Sequence, residues 1–491
     1  MPNLFAGNGF EGRERGSLGR PPLRSRREFL WEAGGGLGGI AMAYLLGKEG
    51  VLSDVPRMTQ DGGLHHPARA KRVIQLFMNG GASPMDTFDF KPELVRRHDK
   101  QVDFGIDVSV TGEVGKVMKC PFEWKQHGQC GRWVSSVFPQ VAKHVDEMAF
   151  LMAMASKTNV HGPASYMQNT GFLVGGYPAM GAWISYALGS LSDDLPAYVV
   201  LPDPAGLPYN NRGNFSPGFL PKSHQGVVIQ PNAPVPIANL APPRNVSSIT
   251  KGSEEEGLKL LESLNQRHLK QHQGDGRLSS RLESYELAAR MQLRAPEALD
   301  LSRETEGTRD AYGLGNQKTE TFGRNCLTAR RLLERGVRFV QVWSGAGGAS
   351  NNWDNHTDIP KELPAIAETV DQPISALLQD LKQRGMLDDT LVVWTTEFGR
   401  MPFTQNDVGR DHNGGTFVSW LAGGGIKGGT SHGRSDDFAY QTMSGKTYCY
   451  DLHATILHLL GIDHEKLTVR HNGIDRRLTD VHGNVIQSIL A

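Results

Sequence analysis

Asp354 and His356 stand two residues apart in the short stretch 350-SNNWDNHTD-358. A carboxylate oxygen beside an imidazole nitrogen suits a hard-to-borderline divalent ion. Many surface loops hold such a pair, so its weight comes from the residues that accompany it. Glu397 closes the apolar run 390-TLVVWTTE-397, and Arg400, Arg410, Asp411 and His412 crowd the loop that follows. Upstream, 159-NVHGPASYMQNTGF-172 sets His161, Ser165 and Thr170 near one another. At a helix start, where free N–H groups favour anions, His161 reads as a ligand or nucleophile. The plainer reading is a capped helix with a polar entry. His453, in 451-DLHATILHLLG-461, opens a helix and reads more simply as a histidine bonded to backbone than as a ligand.

These residues need elements to aim them. The run 72-RVIQLFMNGG-81 predicts a buried strand ending in a glycine turn. Residues 148–154, MAFLMAM, form a further apolar run, and 196-PAYVVLPD-203 predicts another strand. Helical spacing then alternates with apolar runs: helix 321–336, strand 337-VRFVQVW-343, helix 365–385, strand 390–397, strand 416-TFVSWLAG-423 and helix 451–461. Such alternation implies an α/β protein with a mainly parallel sheet covered by helices on both faces. Ligand sites in these sheets lie beyond the carboxyl ends of the strands. The polar clusters follow those ends: Asn79 to Asp89 after the first strand, Asp354 and His356 after 337–343, Glu397 after 390–396. Four ligand-type residues, Asp354, His356, Glu397 and His412, would therefore converge on one edge.

Composition narrows the field. Lys+Arg and Asp+Glu are both 52 in 491 residues, and this even balance lacks the basic excess that nucleic acid usually demands. The four cysteines form no CxxC pair, which argues against zinc-finger chemistry. Cys120 and Cys130 are near enough in sequence to bridge, and spacing alone leaves their pairing open. At the N-terminus, 25-SRREFL-30 precedes the glycine-rich, weakly apolar 33-AGGGLGGIAMAYLLG-47. This reads as a twin-arginine export signal, too short and glycine-rich to span a membrane. The expected organisation is a signal and linker over 1–69, then one domain over 70–491. An irregular and helical insertion is expected over 204–310.

The motifs 79-NGGASPMDTFDFKP-92, 161-HGPASYMQNTGF-172, 353-WDNH-356, 395-TTEFGR-400, 409-GRDHNGG-415 and 451-DLHATILHLLGI-462, in this order, resemble the DUF1501 family of exported bacterial proteins. That family is placed with phosphatases, sulfatases and phosphoglycerate mutases in the alkaline-phosphatase-like superfamily. The resemblance implies a two-metal site at the carboxyl edge of the sheet, with Asp354, His356 and His412 as ligands and Glu397 as a further ligand. It offers Asn79 or Asp86 as the first-strand ligand. Phe398 stands where a metal-binding histidine is common, and the Cys/Ser-x-Pro-x-Arg motif of sulfatases is absent.

The expected activity is that of an exported metal-dependent hydrolase of phosphate or sulfate esters. Zinc, calcium, magnesium or manganese would be the cofactor. Glu397 would serve as ligand or general base, His161 as a catalytic group, and Arg400 or Arg410 either as a clamp on the anionic transition state or, equally, as structural partners of Glu397 or Asp411. The expected partners are an anionic ester, such as a sulfated or phosphorylated glycan, and the twin-arginine machinery that delivers the protein to the periplasm or beyond. The competing expectation is a non-catalytic binding or accessory protein that keeps a degenerate form of the fold.

Overall fold

Alternation along the first strand decides the layers. In the computed structural model, strand β1 (Arg72–Met78) is buried from Val73 onward. Ile74, Leu76 and Met78 enter one hydrophobic cluster, while Val73 and Phe77 enter another. A strand that is apolar on both faces must be covered on both. The described residues are 64–105, 114–237, scattered positions from 256 to 268, 276–348 and 350–491. The twin-arginine stretch lies outside them.

Seven more strands complete the sheet: β2 (Met148–Met154), β3 (Tyr198–Leu201), β4 (Val227–Val228), β5 (Phe339–Ser344), β6 (Thr390–Thr395), β7 (Phe417–Ala422) and β8 (Thr430–His432). Their order is β8-β2-β7-β6-β1-β5-β3-β4. β1 runs parallel to β5 and β6, β3 parallel to β5 and β4, and β8 parallel to β2. Helices α1 (His161–Thr170), α2 (Met180–Leu188), α3 (Gly276–Leu299), α4 (Glu320–Glu334), α5 (Ile359–Gln383) and α6 (Cys449–Leu459) complete the layers. Leu327 and Leu332 of α4 and Ile374 and Leu377 of α5 pack on one face. Trp183 of α2 and Leu452 and Ile456 of α6 pack on the other. The protein is therefore an α/β protein with a mainly parallel sheet flanked on both faces.

One strand departs from the helix–strand alternation. β7 runs antiparallel to both β6 and β2. No helix lies between β6 and β7, so the chain cannot make the crossover that a parallel neighbour needs. Residues 396–416 instead leave the carboxyl end of β6 and return beside it. A two-residue ladder within this loop pairs Gly399–Arg400 with His412–Asn413. The turnaround keeps Glu397, Arg400, Arg410 and His412 at one edge of the sheet.

Helix α1 is tied to the sheet by polar groups. Gln341 of β5 donates from Nε2 to Asn169 Oδ1 at 2.7 Å, and Gln168 Nε2 donates to Thr395 Oγ1 at 2.9 Å. Buried side-chain hydrogen bonds of this kind fix a helix more specifically than apolar contact alone. Gly171, at φ 80°, ends the helix in a left-handed conformation.

His453 of α6 is fully buried, and its Nε2 donates to the Gln168 carbonyl at 2.9 Å. That is the backbone-bonded role. Burial pushes its imidazole down from 6.5 to about 4. Above the unfolded value neither state holds the proton. As pH falls, the unfolded chain is protonated first, so stability is lost between about 6.5 and about 4. The gap is worth ~3 kcal/mol. Urea midpoints at about pH 7.5 and about pH 4.5 should therefore drop less in His453→Gln than in the parent. An equal drop would remove His453 from the acid sensitivity of the fold.

Candidate metal centre

Two loops and one helix start meet at the carboxyl edge. His161 is the first residue of α1. Asp354 and His356 follow β5, and His412 lies in the loop between β6 and β7. One ring nitrogen from each histidine and one oxygen of Asp354 lie within 4.8 Å of one another. Asp354 Oδ1 is 2.8 Å from His356 Nε2 and 3.0 Å from His412 Nε2. Asp354 Oδ2 is 3.1 Å from His161 Nε2.

The loop after β5 is held from below. Trp353 is fully buried, its amide donates to the Asn79 carbonyl at 3.0 Å, and its indole donates to Ser344 Oγ at 3.1 Å. The Asp354 amide donates to Asn352 Oδ1 at 3.0 Å. Gly80 allows this approach: a Cβ there would sit 2.6 Å from the Asp354 nitrogen, and its φ is +123°. Gly409 does the same for the second loop, since a Cβ would meet the His356 carbonyl oxygen at 1.8 Å.

The outer ring nitrogens set the tautomers. His161 Nδ1 is 2.8 Å from Glu397 Oε1, and His412 Nδ1 is 2.8 Å from the Asn159 carbonyl. His356 Nδ1 contacts Gln405 Oε1. An ionised carboxylate or a carbonyl oxygen only accepts, so each Nδ1 carries hydrogen and each Nε2 turns inward. Burial, against the pull of Asp354 and with the nearby Arg400 charge, pushes His412 down to about 4. Its ring is neutral near pH 7 and its Nε2 is bare. Burial acts to lower His161 as well, but Asp354 and Glu397 on either side carry it above its ordinary value. Burial also works against charge on Asp354, yet the Arg400 guanidinium and the three imidazoles hold its carboxyl far below the usual carboxylate range.

This arrangement fits a divalent cation. His356 Nε2 and His412 Nε2 are only 2.7 Å apart, and His161 Nε2 is buried with no hydrogen-bond partner of acceptable geometry. The bare Nε2 of His412 faces the Asp354 carboxylate oxygen at 3.0 Å, a repulsive contact until a cation lies between them. Imidazoles whose outer N–H groups are held by oxygen acceptors are the usual support of a metal site.

The other expected site residues stand farther back. Glu397 is fully engaged: Oε1 accepts from the Gly80 amide at 2.8 Å and from His161, and Oε2 accepts from Thr396 Oγ1 at 3.1 Å. It braces His161 and stands outside the four-donor cluster. Arg400 donates to Asp354 Oδ1 at 2.6 Å, to the Gly81 carbonyl at 2.7 Å and to the Gly80 carbonyl. Arg410 and Asp86 are both wholly buried and face each other, at 2.6 Å for Nε–Oδ2 and 3.0 Å for Nη2–Oδ1. Asp86 Oδ2 also accepts from Ser83 Oγ at 2.5 Å. This pairing sets Asp86 apart from the donor cluster and occupies Arg410 as a loop brace. Asn79 turns its amide nitrogen to the Gly345 and Ala346 carbonyls. Ser165 donates to Asn214 Oδ1 at 2.9 Å, and the four cysteines are free thiols.

Tyr209 was not anticipated. Its ring stacks on His161 at 4.3 Å and 10°, and its hydroxyl donates to the Gly348 carbonyl at 2.7 Å. It sits in a Pro- and Asn-rich stretch without periodicity, so only the fold reveals it. Asn159 and Gln405 are equally silent in the sequence.

A mainly parallel α/β sheet that gathers three imidazoles and a carboxylate beyond its strand ends defines the class: an α/β protein with a candidate metal centre. The chain belongs to the family described as protein of unknown function (DUF1501), whose model matches residues 70–490. No curated relative matches it. Among solved structures it is similar to the lipoteichoic acid synthase LtaP from Listeria monocytogenes, at 11% identity and a TM-score of 0.35, covering 89% of this chain and 80% of that one. It is similar to the PsFucS1 sulfatase from Pseudoalteromonas sp. at 14% and 0.32, covering 83% and 74%. A phosphonate monoester hydrolase of Agrobacterium radiobacter gives 12% and 0.33, covering 80% and 74%. At these values nothing about activity passes from them to this chain.

Proposed function

We propose that this chain is an exported metal-dependent hydrolase of phosphate or sulfate esters. The observation that carries the reading is the convergence of three Nε2 atoms and the Asp354 carboxylate within 4.8 Å. His161, Asp354, His356 and His412 would hold one divalent ion. A set rich in imidazole favours zinc, and manganese next, over calcium or magnesium, which prefer oxygen. When bound, the ion would supply a Lewis acid that polarises an ester oxygen and acidifies water. Glu397 keeps the His161 proton on Nδ1 and so keeps Nε2 inward. Arg400 orients Asp354 and stabilises its charge. Tyr209 covers one face of His161 and shields it from water. His356 has the most exposed side chain of the four, at 24%, and marks the side open to substrate. The 25-SRREFL-30 stretch supports export by the twin-arginine route to the periplasm or beyond. Among the described residues, no helix is long and apolar enough to cross a membrane.

Elemental analysis of the purified protein beside His412→Ala, with a panel of aryl phosphate and sulfate esters, tests the proposal. The expected result is about one equivalent of metal in the parent, lost in the variant, with turnover following the metal. No metal after reconstitution with zinc and manganese would sink the proposal. One observation favours a second reading, a metal protein without turnover: four protein donors already complete a tetrahedral zinc shell. Bound metal with no turnover of any ester would support that reading.

A further inference from the structure

Among the described residues, Lys157 and Lys446 form no ion pair. Lys157 Nζ lies 3.2 Å from the Tyr450 hydroxyl and 3.4 Å from His482 Nε2. The same ammonium is 4.7 Å from the Tyr450 ring centroid and 5.9 Å from that of Tyr448. Lys446 Nζ is 5.8 Å from the Tyr448 ring. Both lysines are exposed. Among the described residues, no carboxylate lies within ion-pair distance of either. The acid at the start of α6, Asp451, instead accepts from the Tyr448 and Asn484 amides. Lys157 is thus held by a hydroxyl, an imidazole and two ring faces, none of which is a carboxylate.

The position of Lys157 gives this cation a use. It precedes Asn159, whose carbonyl accepts from His412, and it lies four residues before His161. Four residues span at most ~14 Å of chain. A group bound at Lys157 and an ester at the metal centre could therefore belong to one short stretch of polymer. The rings do not offer a stacking platform for bases. Tyr450 is buried, and one face is taken by Lys157 while His482 packs against the ring at 4.6 Å between centroids. Sequence-tolerant nucleic-acid binding depends on open aromatic faces.

We propose that Lys157, with Lys446 and His482, forms a subsite for a second acidic group of the substrate, and that the substrate is an acidic polysaccharide. This rests on the hydrolase reading in so far as it names that site's substrate. Sulfate and carboxylate share the chemistry that two ammonium groups recognise, and the probes separate them.

Calorimetric titration of the full chain uses dextran sulfate, polygalacturonate, neutral dextran and a single-stranded oligodeoxynucleotide, in about 0.1 M salt to limit unspecific attraction. The expected result is binding of dextran sulfate or polygalacturonate and none of neutral dextran. Lys157→Gln/Lys446→Gln should weaken that binding by about tenfold or more, the scale of two surface cations meeting a polyanion. Lys157→Arg/Lys446→Arg should keep it. The stronger of the two polysaccharides identifies the acidic group. An unchanged affinity in the glutamine variant, no binding by the parent, or tighter binding of the oligonucleotide would overturn the proposal. Thermal melts confirm that the variants fold. The titration needs no turnover. A protein that hydrolyses esters but ignores these lysines overturns the subsite alone. A protein without metal or turnover that still loses affinity in the glutamine variant overturns the hydrolase reading alone.

Discussion

Asparagine in place of Asp354 is expected to weaken metal binding by more than about a hundredfold and to remove ester turnover with it. Asp354 is the only anion among the four donors, and its oxygens face all three histidines and Arg400. Asparagine is nearly the same shape but cannot neutralise a dication. It would also turn an amide N–H toward either a ring nitrogen or the guanidinium. Loss of an outer support typically weakens a metal site by about 10- to 100-fold, and Asp354 is a direct donor, so its loss should exceed that range. Glu397→Gln is the matched comparison. Glutamine Oε1 can still accept the His161 Nδ1 hydrogen, so its effect should stay within that range. Competition against a chelator of known affinity, followed by elemental analysis, gives both numbers. Equal losses in the two variants would make Glu397 a donor in its own right and redraw the site.

The contrast between these two acids was only half legible in the sequence. Strand-end placement brought Asp354, His356, Glu397 and His412 to one edge because a buried strand can be read from its apolar run and its loops must follow. Which carboxylate faces inward depends on contacts across 236 positions, such as His161 with Glu397, and no local pattern encodes them. Helix α5 shows a different limit. The spacing predicts this helix from residue 365, yet it begins at Ile359, with Pro364 and Pro373 inside it, because Asp358 caps it by accepting from the Lys361 amide. The two shortest strands, β4 and β8, have no hydrophobic run long enough to announce them. β7 was visible as a strand, and its reversed direction follows from the missing crossover helix rather than from its own residues.

Arg410→Met is expected to destabilise the fold by ~3–5 kcal/mol, the usual result of leaving one partner of a buried ion pair alone. Asp86 and Arg410 have no exposure, and the guanidinium also donates to the Met118 and Met401 carbonyls at 3.1 and 3.2 Å. Methionine fills similar volume but leaves the Asp86 charge facing only the Ser83 hydroxyl. Asp86→Asn/Arg410→Met should recover part of the loss, because it removes the stranded charge along with its partner. Urea unfolding of the two single variants and the double variant supplies the cycle. The same proteins separate a brace from a substrate clamp. A brace lowers stability and leaves KM for a small ester unchanged in the fraction that remains folded. A clamp raises KM or lowers kcat with little change in the unfolding midpoint. The four donations that already occupy Arg410 predict the first pattern, and the second would return this arginine to the reacting centre.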